Sequence, residues 1–175
     1  PLLGLHNRLN AAAAAAAAHC FGADFASIEY GLKHAKPVEH RLEFLRELNG
    51  VRFVNDSKST NMVATNAAVQ SLESPILLLF GGRPKKESFQ KLNEHLATKI
   101  RHLFLFGEAA PIVSGQIESE NKYTILGTMK EALTAAYAAA KPGETILLSP
   151  GCASFDQFPN FEERGRIFKS LVADL

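Results

Sequence analysis

Short apolar segments alternate with longer segments of helical periodicity from residue 60 onward, and no other feature of the sequence limits the possible folds as strongly. Strands are predicted at Ile76–Phe80, His102–Phe106, Tyr123–Leu126 and Thr145–Leu148. Helices are predicted at Thr60–Leu72, Ser88–Thr98, Ala109–Ile117, Thr128–Ala140 and Phe161–Ala173. Alternation of this kind gives a mostly parallel sheet with helices on both faces. The expected fold is therefore α/β and Rossmann-like.

A hairpin is predicted before these elements. The segments Leu42–Leu48 and Val51–Val54 flank Asn49-Gly50. Both turn residues tolerate the positive φ that a two-residue hairpin turn requires. We expect this hairpin to form an antiparallel edge of the sheet.

The first part of the sequence follows a different pattern. The alanine run Ala11–Ala18 is an excellent helix former, and Gly22 stands where such a helix would end. Asp24 is then placed to cap a second helix. Pro37 interrupts the helical pattern, so we place a domain boundary at Lys36–Val38. A short helical segment is therefore expected before the α/β domain.

Composition excludes several classes of function. The chain has 175 residues, of which 46% are hydrophobic, and this is enough for one good core. A formal net charge of +1 gives no electrostatic reason to expect a nucleic-acid or membrane partner. The longest apolar run falls short of the ~20 residues that a membrane span needs. Cys20, Cys152 and the histidines show no metal-ligand spacing, so we expect no metal site and no disulfide.

The segment from Leu147 to Gly165 is the strongest candidate for a ligand site. Ser149-Pro150-Gly151 is expected to end the last strand, and the small and polar residues Cys152–Asp156 follow it. In open α/β sheets, ligands bind at the carboxyl ends of strands. Backbone N–H groups, the Ser154 hydroxyl and a helix N-terminus would favour a carboxylate or a phosphate. A turn followed by a capped helix is the simpler alternative.

A second candidate segment, Asn55–Thr60, follows the hairpin and contains Asp56, Lys58 and Thr60. A carboxylate, an ammonium group and hydroxyls ahead of a helix suit anions and a metal-bound nucleotide. An Asx turn followed by a Ser or Thr N-cap explains the same residues equally well. Lys58 favours the functional interpretation, because a cap needs no cation and a helix N-terminus disfavours one.

The third candidate segment is Gly81-Gly82 with the cations Arg83, Lys85 and Lys86. Paired glycines allow a ligand to approach the backbone, and the cations suit a carboxylate. A solvated basic loop is the commoner outcome for such a cluster.

Two amides form a fourth candidate. Asn7 and Asn10 lie three residues apart in the first predicted helix and share a face. Two amides on one face can read a flat polar edge such as that of adenine. Helix capping is the alternative for Asn7.

Four segments of the sequence resemble the Mur ligase family. They are LLGLHNRLNAAAA from Leu2, EHRLEFLRELNGVRFVNDSKSTN from Glu39, LLLFGGRPKK from Leu77 and LLSPGCASFDQFPNFEERG from Leu147. They occur in the order of the family and with its usual gaps, and together they span nearly the whole chain. The last segment resembles the members that add D-glutamate. The D-N-P-R motif of the members that add the third residue of the peptide is absent from the sequence.

The resemblance implies an activity and a domain organisation. The activity is that of an ATP-dependent ligase that joins D-glutamate to UDP-N-acetylmuramoyl-L-alanine in peptidoglycan synthesis, through an acyl phosphate, in the cytoplasm. ATP and magnesium are the expected cofactors, with the metal ligands mainly outside this sequence. Residues 1–37 would be the last helices of the central ATPase domain, and residues 38–175 the C-terminal domain.

The resemblance also assigns roles to individual residues. Lys58 and Arg41 are the expected catalytic residues. Residues expected to bind D-glutamate are Thr60, Lys85, Ser154, Phe155 and Phe161, the two Phe residues through backbone N–H. Residues expected to bind ATP are Asn7, Asn10, Arg41 and Asp56. Pro84 stands where the family more usually has Asp or Gly, which leaves Lys86 as a rival of Lys85.

The phosphate loop of the family, G-x-x-G-K-[ST], is absent from these 175 residues. We therefore expect a fragment of the ligase that is inactive alone. Two other classes stay open. A stand-alone Rossmann-like module for a nucleotide or cofactor is disfavoured, because no G-x-G-x-x-G follows the first strand. A non-catalytic interaction domain would leave the Ser154 segment without a ligand.

Overall fold

The computed structural model describes residues 5–35, 38–73 and 75–175, with side chains from residue 8 onward. The chain divides into two units, one that ends at Glu39 and one that starts at His40. The predicted boundary residues Lys36 and Pro37 lie outside the described residues. The assignment of the two parts to domains of a ligase therefore stays a prediction.

The first unit is a pair of helices, α1 at Leu5–Cys20 and α2 at Phe25–His34. Gly22 adopts a φ of +91° in the connection between them, as the glycine after a helix often does. Asp24 caps α2 and accepts a hydrogen bond of 2.7 Å from the N–H of Ser27. No residue of α2 is buried.

The second unit is a six-stranded sheet with five helices, and it confirms the α/β prediction. Its order along the sheet is β1-β2-β6-β3-β4-β5. The strands are β1 at Glu43–Leu48, β2 at Val51–Asn55, β3 at Ile76–Gly81, β4 at Ile100–Phe106, β5 at Tyr123–Leu126 and β6 at Thr145–Gly151. The helices are α3 at Met62–Ser71, α4 at Lys91–Leu96, α5 at Ala110–Ser114, α6 at Met129–Ala139 and α7 at Phe161–Ala173, with a 3-10 turn at Glu120–Lys122.

The pairing of the strands follows the predicted pattern. Strands β1 and β2 pair antiparallel as the edge hairpin, and the remaining pairs are parallel. Asn49 and Gly50 form the hairpin turn with φ of 52° and 77°. Among the described residues, no helix has the length and apolarity that crossing a bilayer requires.

Helices cover both faces of the sheet. Leu133 of α6 and Phe168 of α7 pack in one core with Leu77 and Leu79 of β3. Alternate residues of a strand point to opposite faces, so Phe80 points away from that core. On that opposite face, Phe80 meets the ring of Phe89, which precedes α4, with ring centroids 5.7 Å apart. All residues of β3 and β6 are buried, which explains their continuous apolar sequence.

The prediction that Ser149-Pro150-Gly151 ends the last strand is wrong, because β6 continues to Gly151. Gly151 pairs with Gly81 of β3, and its N–H donates to the carbonyl of Ser59 at 3.0 Å. The pairing of β3 and β6 is irregular between Leu79 and Gly81. Proline is tolerated in a sheet at such an irregularity, because no ladder hydrogen bond is lost there.

Helices α4 and α5 are shorter than predicted. The segment before α4 is held outside the helix, because the N–H of Phe89 donates to the side chain of Gln116 at 2.8 Å. Gly115 follows α5, and glycine is a poor residue for continuing a helix.

Candidate functional site

The carboxyl ends of β2, β6, β3 and β4 lie side by side, and we call this side of the sheet the carboxyl edge. Three of the predicted candidate segments follow strands at this edge. We name them the β2 loop, Asp56–Asn61; the β3 loop, Gly82–Gln90; and the β6 loop, Cys152–Asn160. The strand order therefore brings together segments that are up to about a hundred residues apart in the sequence.

Asp56 fixes the β2 loop from inside. Its carboxylate is buried and accepts hydrogen bonds from the N–H of Leu42 at 3.2 Å, from Ser149 Oγ at 2.8 Å and from Ser59 Oγ. Lys58 is exposed, and its Nζ lies 3.8 Å from the centre of the Phe161 ring. Such a cation–π contact orients an ammonium group without neutralising its charge.

Two glycines allow the β3 loop to approach its neighbours. Gly81 and Gly82 have φ of 148° and 120°, and a Cβ on Gly82 would lie 2.3 Å from the carbonyl oxygen of Ala153. Arg83 then pairs with the β6 loop. Its N–H donates to the Ala153 carbonyl at 2.8 Å, and the N–H of Ala153 donates to the Arg83 carbonyl at 3.1 Å.

The other end of the β3 loop is attached to α3. Glu87 Oε2 accepts a hydrogen bond of 3.0 Å from the N–H of Met62, the first residue of α3. Glu87 Oε1 is buried and accepts no hydrogen bond from the described residues. Lys85 and Lys86 are both exposed between the two attachments, at Arg83 and at Glu87. The second of these attachments is to the helix that follows Thr60, which is half-buried.

The β6 loop forms a tight turn before α7. Ser154 is buried, and its carbonyl accepts hydrogen bonds from the N–H groups of Gln157 and Phe158 at 3.1 and 2.8 Å. Phe155 is 62% exposed. The N–H groups of Phe155 and Phe161 donate to no described residue, so both remain available to an acceptor.

Sequence reasoning missed Arg164, a buried residue that joins α7 to two loops. Its guanidinium donates to Ser57 Oγ at 3.0 Å, to the Ser57 carbonyl at 2.9 Å and to the Cys152 carbonyl at 3.1 Å. Burial lowers its pKa to about 10. A signal was present in the sequence: Arg164 lies three residues after Phe161 and four before Phe168, on the side of α7 that is otherwise apolar.

Cys152 is not a candidate nucleophile. Its side chain is fully buried, and burial raises the pKa of the thiol to about 12. A thiolate is the reactive form of cysteine, so this residue has a structural role.

Arg41 is exposed between two residues with unusual backbone angles. His40 and Leu42 have φ of 64° and 43°, which is a rare conformation for a bulky residue such as Leu. His40 is buried, and Asn55 Nδ2 donates to its Nδ1 at 3.0 Å. The N–H of Lys58 donates to the His40 carbonyl at 3.0 Å, so the same turn is tied to the β2 loop. Backbone strain of this kind is typical of functional sites.

The structure leaves the amide pair of the first unit undecided. Asn10 is exposed on α1, and the side chain of Asn7 lies outside the described residues. The three loops, in contrast, place all five predicted D-glutamate residues at the carboxyl edge or at the start of α7, with Asp56 and Lys58 in the β2 loop.

Comparisons with curated proteins identify relatives along the whole chain. UDP-N-acetylmuramoylalanine–D-glutamate ligase of Caldicellulosiruptor bescii is 41% identical over 174 residues, which are 98% of this chain and 38% of the relative. The ligase of the same name from Solibacter usitatus is 42% identical over 175 residues, which are 100% of this chain and 40% of the relative. The chain therefore spans less than half the length of these relatives.

Solved structures share the fold at low sequence identity. A pseudomurein peptide ligase type C from Methanothermus fervidus matches 98% of this chain and 36% of its own, with a TM-score of 0.73 and 20% identity. Folylpolyglutamate synthase from Mycobacterium tuberculosis, complexed with ADP and AMPPCP, matches 98% of this chain and 41% of its own, with a TM-score of 0.73 and 15% identity.

One family model matches the second unit. It describes the "Mur ligase, glutamate ligase domain" and covers residues 40–152, from the turn that carries Arg41 through the end of β6. This match covers more than half of the sequence and includes the β2 and β3 loops, so the chain belongs to the Mur ligase family.

Proposed function

We propose that the chain is the C-terminal part of a cytoplasmic, ATP-dependent ligase that adds D-glutamate to UDP-N-acetylmuramoyl-L-alanine in peptidoglycan synthesis. The observation that carries the proposal is the convergence of Thr60, Lys85 and Ser154 at the carboxyl edge. Curated relatives with the corresponding name support the same assignment.

The β3 and β6 loops supply groups that suit a dicarboxylic amino acid. Lys85 offers an ammonium group, Ser154 a hydroxyl, and Phe155 and Phe161 unused N–H groups. Phe161 also begins α7, whose N-terminus favours negative charge. Hydrogen bonds between such donors and a carboxylate are charge-assisted and stronger than neutral ones. Together these groups would hold both carboxylates of D-glutamate and leave its amine free to attack.

The β2 loop and its neighbours face the nucleotide in this proposal. Arg41 would contact a phosphate, and Lys58 would lie between the nucleotide and the amino acid. The carboxylate of Asp56 is engaged by Leu42, Ser59 and Ser149. Asp56 would therefore act on ATP chiefly by fixing the shape of its loop. Asn7 and Asn10 would bind the adenine.

The described residues include no group of three or more His, Cys, Asp and Glu side chains placed to hold a metal ion. In this proposal the magnesium ligands lie mainly in the part of the ligase outside this sequence. The chain's own contribution is to bind D-glutamate so that the nitrogen lone pair attacks the carbonyl carbon of the acyl phosphate. The C–N bond forms, the C–O bond to the phosphate breaks, and inorganic phosphate leaves with the proton that the amine loses.

Substitutions in the full-length ligase that contains this chain test the amino-acid site. Lys85→Ala and Ser154→Ala each remove a hydrogen bond to a carboxylate, worth roughly 1.5–3 kcal/mol. We expect the KM for D-glutamate to rise by about one to two orders of magnitude, while the KM for ATP changes little. Lys86→Ala is the matched control. A larger effect of Lys86→Ala would move the carboxylate contact by one residue, and no effect of any of the three would contradict the proposed site.

A second measurement concerns the 175-residue chain alone. Because its sequence contains no phosphate loop, ATP would not be positioned for phosphoryl transfer, and we expect no D-glutamate-dependent turnover. Turnover by purified material, with contaminating ligase excluded, would contradict this expectation.

The alternative of a stand-alone dinucleotide module receives no support from the fold. The first parallel strand, β2, is followed by Asp56–Asn61, a loop without glycine. A dinucleotide-binding turn needs glycines at that place so that the pyrophosphate can reach the backbone.

A further inference from the structure

We propose that Arg83 and Glu108 are positioning residues of the amino-acid site, and that their ion pair holds Ser154 in place relative to Lys85. The inference rests on the proposed function. Arg83 belongs to the β3 loop, and Glu108 follows β4. The sequence comparison with the Mur ligases and the proposed site assign a role to neither residue.

The ion pair has a fixed geometry. Arg83 Nε lies 3.0 Å from Glu108 Oε2, and Arg83 Nη2 lies 3.0 Å from Glu108 Oε1. Two parallel hydrogen bonds of this kind define orientation as well as distance. Both side chains remain charged in the pair. The hydrogen bonds between them raise the pKa of Arg83 and lower the pKa of Glu108.

A second set of contacts closes a ring through the β6 loop. The N–H of Glu108 donates to Asp156 Oδ2 at 3.2 Å. The carboxylate of Asp156 lies so close to Gly107 that a Cβ there would be 2.1 Å from Oδ2. On the other side, Arg83 and Ala153 exchange two backbone hydrogen bonds of 2.8 and 3.1 Å. The ring thus runs from Arg83 through Glu108 and Asp156 to Ala153 and back.

Ser154 lies in a segment that this ring holds at both ends. Ser154 and Phe155 are the two residues between Ala153 and Asp156, so both ends of their segment are attached to the ring. Lys85 follows Arg83 by two residues and lies between Arg83 and Glu87, which are both attached to neighbouring segments. The ion pair therefore couples the two groups that bind carboxylates in the proposed site.

Stability alone does not explain the pair. Its side chains are 51% and 50% exposed, and ion pairs this exposed contribute little to folding. Its main consequence is the relative position of the β3 loop, the β6 loop and the segment that follows β4. Loss of the pair should accordingly change substrate binding far more than it changes the melting temperature.

The test uses the full-length ligase that contains this chain, with Arg83→Ala, Glu108→Ala and the charge exchange Arg83→Glu/Glu108→Arg. We expect each single variant to raise the KM for D-glutamate about tenfold, since a small misplacement of a binding group can cost up to about a hundredfold. The KM for ATP and the melting temperature should stay unchanged. The charge exchange should restore most of the lost affinity.

A matched control pair lies on α4. Lys91 and Glu94 form an ion pair of 3.2 Å with exposures of 49% and 68%. Lys91→Ala should leave the KM for D-glutamate unchanged. Single variants at Arg83 and Glu108 that behave like this control, or a charge exchange that restores nothing, would overturn the inference.

A measurement on the 175-residue chain separates this inference from the proposed function. In Glu108→Ala, the N–H groups of Arg83 and Ala153 should exchange with solvent at least about fivefold faster, because the local opening of their paired loops becomes easier. Lys91→Ala should leave both rates unchanged. If wild-type ligase lacks D-glutamate-dependent activity, the proposed function fails. If these exchange rates do not change in Glu108→Ala, the positioning role fails.

Discussion

The two edges of the same sheet use similar charged residues in opposite ways. At the amino edge, where the parallel strands begin, Glu144 is buried, accepts a hydrogen bond from the N–H of Lys141 at 2.8 Å and lies 2.7 Å from Arg101 Nε. Lys99 donates to the carbonyls of Gln70 and Leu72 at 2.9 and 2.7 Å, at the end of α3. These charges are paired within the chain, although the buried Arg101 Nε makes no hydrogen bond to a described residue.

The carboxyl edge leaves comparable groups unused. Lys85 and Lys86 are exposed, and neither forms an ion pair with a described residue. Glu87 Oε1 and Asp156 Oδ1 are buried and accept no hydrogen bond from the described residues. A buried polar atom without a partner is rare in folded proteins and requires an explanation. Because Arg101 Nε at the amino edge is also buried without a hydrogen-bond partner among the described residues, the edges differ chiefly in the two neighbouring lysines that the carboxyl edge exposes. This difference supports the proposal of a ligand at the carboxyl edge.

Arg164 breaks this comparison, because it lies at the carboxyl edge and yet each of its three guanidinium nitrogens donates a hydrogen bond within the chain. Arg164→Ala leaves several buried acceptors without a donor, at roughly 1–3 kcal/mol each, so we expect a loss of about 3 kcal/mol or more in the free energy of unfolding. Urea denaturation of the 175-residue chain measures it. Arg166→Ala, two residues later and 58% exposed, is the control and should cost less than about 0.5 kcal/mol. Equal losses in the two variants would show that Arg164 does not hold the loops together.

A substitution of Glu144 tests whether the amino edge contributes to stability alone. Glu144→Ala removes the partner of Arg101 and the acceptor for the N–H of Lys141. We expect the free energy of unfolding to fall by about 2 kcal/mol. The KM for D-glutamate of the full-length ligase should not change. An increase in that KM comparable to the effect of Lys85→Ala would remove the functional distinction between the edges.

Glu87 tests the carboxyl edge at a residue whose Oε2 accepts a hydrogen bond and whose Oε1 accepts none from the described residues. Glu87→Ala removes the hydrogen bond from the N–H of Met62 and should lower the free energy of unfolding by about 1 kcal/mol. The same variant releases one end of the β3 loop, so the KM for D-glutamate should rise in the full-length ligase. Glu87→Gln retains an acceptor for Met62 and should recover most of the stability. Identical behaviour of the two variants would contradict the role of this hydrogen bond.

The smallest expected effect is a pH dependence that arises away from the carboxyl edge. Burial lowers the pKa of both His95 and His102 below the ordinary histidine value of 6.5. Below pH 6.5 the unfolded chain therefore binds protons more readily than the folded chain, and the free energy of unfolding should fall as the pH decreases. The double variant His95→Gln/His102→Gln should show a flatter dependence in this range. Parallel curves for the two proteins would contradict the prediction.

Much of the fold could be predicted because its signals are local. The alternation of strands and helices is visible in the order of apolar segments, and the parallel sheet follows from it. Asn49-Gly50 forms a turn and Asp24 caps a helix through residues at most three positions away, so both roles could be predicted from the sequence. The three loops could be placed together for a related reason, since the ends of parallel strands meet at one edge.

The missed features depend on partners that are distant in the sequence. Arg164 donates to Ser57, which lies 107 positions earlier. Glu87 binds the N–H of Met62, 25 positions earlier, and the extension of β6 to Gly151 depends on β3. The spacing of apolar residues along the sequence does not predict such long-range pairings. In the sequence Arg83 is one cation of a basic cluster, and only the position of Glu108 in the structure shows that its charge is paired within the chain.

The place of β6 between β2 and β3 has a consequence for biosynthesis. A ribosome makes β2 and β3 long before β6, yet these two strands do not touch each other in the finished sheet. The nascent chain consequently holds two incomplete pieces, the hairpin β1-β2 and the strands β3 to β5, until residues 145–151 have emerged. Insertion of one late strand joins the pieces, and such long-range pairing is slow to form. The loops of the candidate site acquire their mutual positions only once β6 has joined the sheet.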